Sequence, residues 1–377
     1  MGGLTGIIEV EDDPLPLAHH AEDRTDQGHR GEVVLAAVGV SDHHALAGSR
    51  VVGLDHALHR RSSYRVRVTD DTGGREFATI DRIAARLRAV VGPDAPGELW
   101  IGDDAAVVAI GSGRVVIAAD ALVAGTHADL GLTTLADLGW KALAVNASDL
   151  AAMGCRPSRA VVTVSGPDPR AVDDLYEGLA AAAVAFGCPI VGGDLTSAGV
   201  LVISVTVVGD GEVDPRPVAR GGARPGDEIW VSGPLGAASA GLRALRVGNA
   251  APDLARAHAR PTPRIEEGVA ARELGATAMV DISDGFLADL GHVLRQSGIG
   301  AALEDVPVAP GATEADALTG GDDYELVWCC PPGSGVALAF VGRGLRPPVR
   351  VGVCVTDPSL FTLAGRAVRA GGWEHWR

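Results

Sequence analysis

The stretch Val280-Asp281-Ile282-Ser283-Asp284-Gly285 sets two carboxylates three residues apart, with a hydroxyl between them and a glycine after. A short apolar run, Ala278 to Val280, delivers the pair, and an amphipathic helix with Phe286, Leu287, Leu290 and Leu294 on its apolar side follows. Ser283 or Asp284 can cap that helix, so the turn would present carboxylates, a hydroxyl and free backbone N–H groups together. Magnesium bridged to phosphate suits this combination: carboxylates hold the hard cation while the helix start receives anionic oxygens. Further aspartates recur at Asp104, Asp120, Asp149 and Asp194, read as ending strands or lying on a helix face. Glycines flank several of them: Gly102 before Asp103-Asp104, Gly192-Gly193 before Asp194, Gly285 after Asp284. Taken singly, each is an ordinary turn or capping residue. Gathered, they would repel one another unless cations filled the cluster. Several Mg²⁺ ions on a polyphosphate would satisfy both charges.

Other chemistries find little support. The chain has no GxxxxGK[ST] phosphate loop and no GxSxG nucleophile turn. Gly233-Pro234-Leu235-Gly236 follows a strand and opens a helix, a weak candidate for cradling phosphate. Arg220, Arg224, Arg260 and Arg264 are available for phosphate contacts, one or two of them being expected to serve. A formal net charge of −16 argues against nucleic acid or an anionic membrane as partner by bulk attraction. No apolar run is long enough to span a bilayer and no signal peptide is visible, so a cytoplasmic protein is expected. Cys155, Cys188, Cys329, Cys330 and Cys354 show no metal or disulfide spacing and read as buried free thiols.

Strands and helices must bring these aspartates together. With 377 residues, 47% hydrophobic and only 4% aromatic, the chain predicts two domains with cores of Ala, Val, Leu and Ile. Residues 1–74 hold seven of the eleven histidines without sustained periodicity and read as a poorly ordered extension. A helix is expected from about Arg75 to Gly92-Pro93, and strands at Leu99–Ile101, Val115–Ala119, Val161–Val164 and Leu201–Val208. A long helix, Leu135 to Met153, carries Asn146 and Asp149 on one face, and Asp173 to Phe186 is a second helix. The Pro- and Gly-dense stretch Asp210–Gly226 marks the domain boundary, giving 75–212 and 213–377. Beyond it, strands are expected at Glu228–Val231, Glu325–Cys330 and Val349–Val353, with a helix from Ala237. Interleaving in both halves makes the fold α/β plus α+β.

At this point the motifs match a known family. Ile101-Gly102-Asp103-Asp104-Ala105, Asp120 to His127, Leu138 to Gly154, Gly192-Gly193-Asp194, Arg220 to Asp227, Arg260-Pro261-Thr262-Pro263-Arg264, the Asp281 turn and Gly320-Gly321-Asp322-Asp323-Tyr324-Glu325 resemble the thiamine-monophosphate kinase family. They fall in family order over residues 75–377, and the terminal Gly372-Trp373-Glu374-His375-Trp376 fits the same branch. The resemblance implies a two-domain PurM-like fold, with an N-terminal ATP- and magnesium-binding α/β domain that dimerises through its sheet and an α+β C-terminal domain. It implies ATP-dependent phosphorylation of thiamine monophosphate by a homodimer, with ATP as co-substrate and several Mg²⁺. By the same resemblance Asp104, Asp120, Asp149, Asp194, Asp281 and Asp284 are the metal ligands, with Asp149 and Asp284 at the transfer step. Asp194, Arg220 and Ser283 serve the nucleotide, and His127, Asp322 and Trp373 the acceptor. The chain departs from the family pattern at Ala118 and Ala119, where hydroxyl residues usually precede the aspartate, and at Asp322, usually glutamate. A related enzyme on another small acceptor, or a nucleotide binder without catalysis, is the alternative.

Overall fold

The computed structural model of the chain describes residues 75–111, 113–166, 168, 170–211, 213 and 216–373. The extension 1–74 and the end of the Trp373–Trp376 motif lie outside the described residues.

The first half contains α1 (Arg75–Val91), β1 (Ala106–Ile110), β2 (Gly113–Val123), α2 (Leu135–Ala152), β3 (Pro157–Gly166), α3 (Ala171–Ala185), β4 (Ile190–Ser197) and β5 (Val202–Asp210). Its sheet runs β1-β2-β5-β3-β4, antiparallel except for the parallel β3–β4 pair. Along β5 every second residue, Ile203, Val205 and Val207, is fully buried, the period of two expected of a sheet covered on one face. The cover is α2 and α3, whose Leu138, Leu143, Leu150, Leu175 and Leu179 complete the core. Each such side chain contributes roughly 1.5–3 kcal/mol by leaving water. Helix α2 starts where the Thr134 side chain accepts from the Asp137 N–H at 3.1 Å.

The second half contains β6 (Glu228–Val231), α4 (Ala237–Arg246), α5 (Pro252–Ala259), α6 (Ile265–Glu273), β7 (Ala278–Asp281), α7 (Phe286–Ser297), β8 (Gly300–Leu303), α8 (Glu314–Thr319), β9 (Leu326–Cys330), α9 (Val336–Gly342), β10 (Val349–Val355), β11 (Phe361–Leu363) and β12 (Arg366–Ala367). Its mixed sheet runs β12-β11-β8-β10-β6-β9-β7. Strands β7 and β9 are buried throughout, because side chains on one face join α7 and those on the other join α6 and α9. The end of α2 enters this second core: Ala151 and Ala152 pack with Ala270, Met279 and Trp328. Arg272 Nε donates to Gly154 O at 2.9 Å across the same contact. One helix thus belongs to both cores.

Several expectations shift. Leu99 makes only an isolated bridge to Val107, so the strand expected at Leu99–Ile101 is absent, and β1 follows instead. Asp120 and Asp194 lie inside β2 and β4 rather than at strand ends, because backbone pairing with β5 and β3 continues past them. All five cysteines are free and buried, and burial pushes the Cys155 and Cys330 thiols up to about 12. Among the described residues no helix is long and apolar enough to cross a membrane.

The α2–α3 contact rests on two glycines. A Cβ on Gly178 would lie 1.7 Å from Ala136 O, and one on Gly139 2.0 Å from Leu175 O. Helix propensity alone favours alanine at such a position by about 1 kcal/mol. The contact predicts the opposite sign: Gly178→Ala should lose on the order of 3 kcal/mol in a urea unfolding titration. A variant as stable as the parent would refute this account of the helix pair.

Candidate active site

Three segments far apart in sequence meet at their carboxylates. Asp104 comes from the loop before β1, Asp149 from α2 and Asp281 from the end of β7, and one oxygen of each lies within 4.8 Å of the others. Helix α2 can reach β7 because its last turns sit in the second core. Ser148, fully buried, donates its hydroxyl to Asp281 Oδ2 at 2.6 Å. Asn146, one turn before Asp149, accepts from the Asp120 N–H at 2.8 Å and donates to Ala142 O.

Arg220 is the cation nearest this cluster in the hydrogen-bond pattern. Its guanidinium pairs with Asp104, and its backbone N–H donates to Asp103 at 3.0 and 2.9 Å. One guanidinium does not neutralise the site. Burial, then the charge of Asp104, pushes Asp281 up to about 8; Asp103 rises to about 7 for the same two reasons. Asp149 is also raised, first by burial and then by Asp120, Asp281 and Asp104. Asp104 Oδ2 is buried without a hydrogen-bond donor, and Arg220 Nε is buried without an acceptor. A hard divalent cation fits this donor set: three carboxylates, one with an orphaned oxygen, held close against their repulsion.

A second group of polar side chains begins beside the triad. Tyr324, buried, donates to Asp322 Oδ1 at 3.2 Å and feels the charges of Asp120, Asp281 and Asp149. Lys141, only 3% exposed on α2, pairs with Asp322 Oδ2 at 2.7 Å. His258 Nδ1 lies 3.8 Å from the same oxygen; burial, then Lys141, lowers its pKa to about 4, leaving the ring neutral. Asp322 and Tyr324 have φ of 69° and 50°, the left-handed region that non-glycine residues avoid, so this segment is held by its contacts.

The sequence-predicted residues separate accordingly. Asp104, Asp149 and Asp281 form the triad, and Asp120 lies within electrostatic reach of Asp149 and Asp281. Asp284 belongs to the same turn but not to the triad, and Asp194 lies on exposed β4 opposite Thr163. His127 follows β2, its Nδ1 accepting the Val123 N–H at 2.9 Å. Trp373, half exposed, donates its N–H to Asp284 O at 2.9 Å.

Two expectations about helix starts are corrected. Neither Ser283 nor Asp284 caps α7; Gly285 occupies the cap position, and the N–H groups of residues 283–285 donate to Asp289. They are not free for phosphate. At Gly233–Gly236 the start of α4 is likewise taken, Gly236 and Ala238 N–H donating to Asp323 at 2.5 and 3.3 Å. Arg260 and Arg264 are held by Asp137 and Glu325. Sequence reasoning missed Ser148, Lys141, Tyr324 and Asp289. The available signal was helical phase for Ser148 and Lys141, and position within the turn motifs for the other two.

The chain's similarity to known proteins follows the same segments. Residues 102–210 match the family described as AIR synthase related protein, N-terminal domain, and residues 224–360 its C-terminal domain. A thiamine-monophosphate kinase of Mycobacterium tuberculosis (strain H37Rv) is 38% identical over 301 residues, covering 73% of this chain and 86% of that protein. A structure described as AaThiL complexed with AMPPCP and TMP is 31% identical, with a TM-score of 0.70 over 80% of this chain and 96% of that one. Thiamine-monophosphate kinase from Stenotrophomonas maltophilia K279a is 36% identical, with a TM-score of 0.62 over 78% and 98%. With both domains of the PurM-like architecture matched and the carboxylate triad inside the matched segments, this chain belongs to the thiamine-monophosphate kinase family.

Proposed function

We propose that the chain transfers the γ-phosphoryl group of ATP to thiamine monophosphate, giving thiamine diphosphate and ADP. The observation that carries this reading is the meeting of Asp104, Asp149 and Asp281 in a chain of this family. The acceptor is itself a phosphate, already anionic at neutral pH, so no general base is needed. Charge neutralisation and in-line positioning are the demands. Magnesium bound at the triad would supply the neutralisation.

The remaining work falls to the chain. Asp104, Asp149 and Asp281 hold the cation, while Asp120, Asp194 and Asp284 are assigned to neighbouring ions. Ser148 orients Asp281, and Arg220 restrains Asp104 from the nucleotide side, where Asp194 and Ser283 are also assigned. His127, Asp322 and Trp373 are assigned to the acceptor. The Lys141 ammonium and the Tyr324 hydroxyl hold Asp322 from two directions, which fixes its carboxylate despite the short side chain. Residues 75–212 form the ATP- and magnesium-binding domain in this reading, and 213–377 the α+β domain. A homodimer through the first sheet is supported by the apolar surface of edge strand β4, where Val191 and Leu195 are 61% and 60% exposed. Five free, buried thiols agree with work in a reducing cytoplasm.

Purified protein given ATP, Mg²⁺ and thiamine monophosphate should form thiamine diphosphate, with free thiamine inert as acceptor. Magnesium-dependent ATP binding without that product would point instead to another acceptor. Asp149→Asn and Asp281→Asn should each lower kcat by about 100-fold or more, because each removes a charge from the cation site. In EDTA the same variants should melt at or above the parent temperature, since a neutral amide relieves the repulsion among the three carboxylates. Near-normal turnover in both would refute the triad's role.

A further inference from the structure

The turn from Asp281 to Gly285 has its backbone polar groups engaged on two sides. On one side, Ile282 O accepts from Tyr324 N–H at 2.9 Å, Ser283 O from Asp322 N–H at 2.8 Å and Asp284 O from Trp373 N–H at 2.9 Å. On the other, the N–H groups of Ser283, Asp284 and Gly285 converge on one atom, Asp289 Oδ2, at 3.1, 3.1 and 3.0 Å. Asp289 is 3% exposed, one turn into α7. A carboxylate buried this deeply is costly unless donors surround it, and here three consecutive backbone groups do so.

No side chain cushions the contacts on the first side. A Cβ on Gly321 would lie 2.5 Å from Ser283 O, and one on Gly372 2.4 Å from Asp284 O. Both neighbouring segments therefore rest directly on the turn's backbone, and a turn that moves carries Asp281, Asp322 and Trp373 with it.

We infer that Asp289 is a positioning residue for phosphoryl transfer, its carboxylate fixing the turn that sets Asp281 on the cation side and Asp322 and Trp373 on the acceptor side. The inference rests on the function proposed above. Asp289 Oδ2 is one carboxyl oxygen that accepts from three converging donors; an amide keeps one weaker acceptor, and alanine keeps none.

The test uses the full chain with Asp289→Asn, Asp289→Ala and, as a control on the same helix, Val293→Ala, which deletes buried core contacts of α7. Mn²⁺ affinity is read by electron paramagnetic resonance without nucleotide, alongside the KM for thiamine monophosphate and the melting temperature. Asp289→Ala should weaken Mn²⁺ binding and raise KM, each by about 10-fold, with Asp289→Asn intermediate. Val293→Ala should lose stability and keep parental values of both. Parental Mn²⁺ affinity and KM in Asp289→Ala, with only a lower melting temperature, would reduce Asp289 to a helix cap and overturn the inference. If the alanine variant does not fold, the asparagine variant decides on the same two readings. A parent that binds Mn²⁺ but makes no thiamine diphosphate overturns the kinase reading alone, and the Mn²⁺ comparison then decides the positioning role. A parent that binds no Mn²⁺ overturns both.

Discussion

Repulsion among Asp104, Asp149 and Asp281 is the constraint on which the rest of this structure turns. Three carboxylates within 4.8 Å oppose the folded state wherever no cation compensates them. Their proximity is imposed by packing elsewhere: α2 is clamped by the first sheet along most of its length and by α6 and Met279 at its end. A buried hydroxyl from Ser148 and one guanidinium from Arg220 offset part of the cost. The stability of two hydrophobic cores is thereby used to hold a site that is unfavourable by itself, as expected where function requires local strain.

Helix α2 makes that coupling possible. One face supplies Leu138, Leu143 and Leu150 to the first core, and its last residues enter the second. Along its length it presents Lys141, Asn146, Ser148 and Asp149 to the polar groups around the triad and Asp322. The glycines opposite it, Gly178 in α3 and Gly268 in α6, bring neighbouring backbones within van der Waals range. Small residues at these crossings keep the polar face of α2 in one place relative to both sheets.

The helix starts near the site are satisfied from within the chain. Asp289 takes the N–H groups before α7, and Asp323 takes those at α4, so neither terminus offers an empty anion cradle. In the proposed function, phosphate recognition would then fall to cations held by the carboxylates and to side chains. This agrees with the net charge of −16 and with arginines engaged in ion pairs at Asp104, Asp137 and Glu325.

Much of the fold was legible in the sequence because hydrophobic period reports local structure: α2, α3, β6 and the start of α4 lie where apolar spacing places them. The turn motifs around the aspartates likewise identified the family. Strand extent was not legible at Asp120 and Asp194, since backbone pairing with a neighbour, not side-chain pattern, carries β2 and β4 through them. Nor could sequence tell which carboxylates meet, because Asp104, Asp149 and Asp281 are brought together only when α2 is shared by two cores. The fate of the N–H groups at Ser283–Gly285 was hidden for a related reason. A capping residue and a carboxylate one turn later compete for the same donors, and only the packed geometry of α7 awards them to Asp289. Composition and motif determined which family this protein belongs to; tertiary packing decided which charges face one another, because repulsive neighbours appear together only where a folded core forces them to.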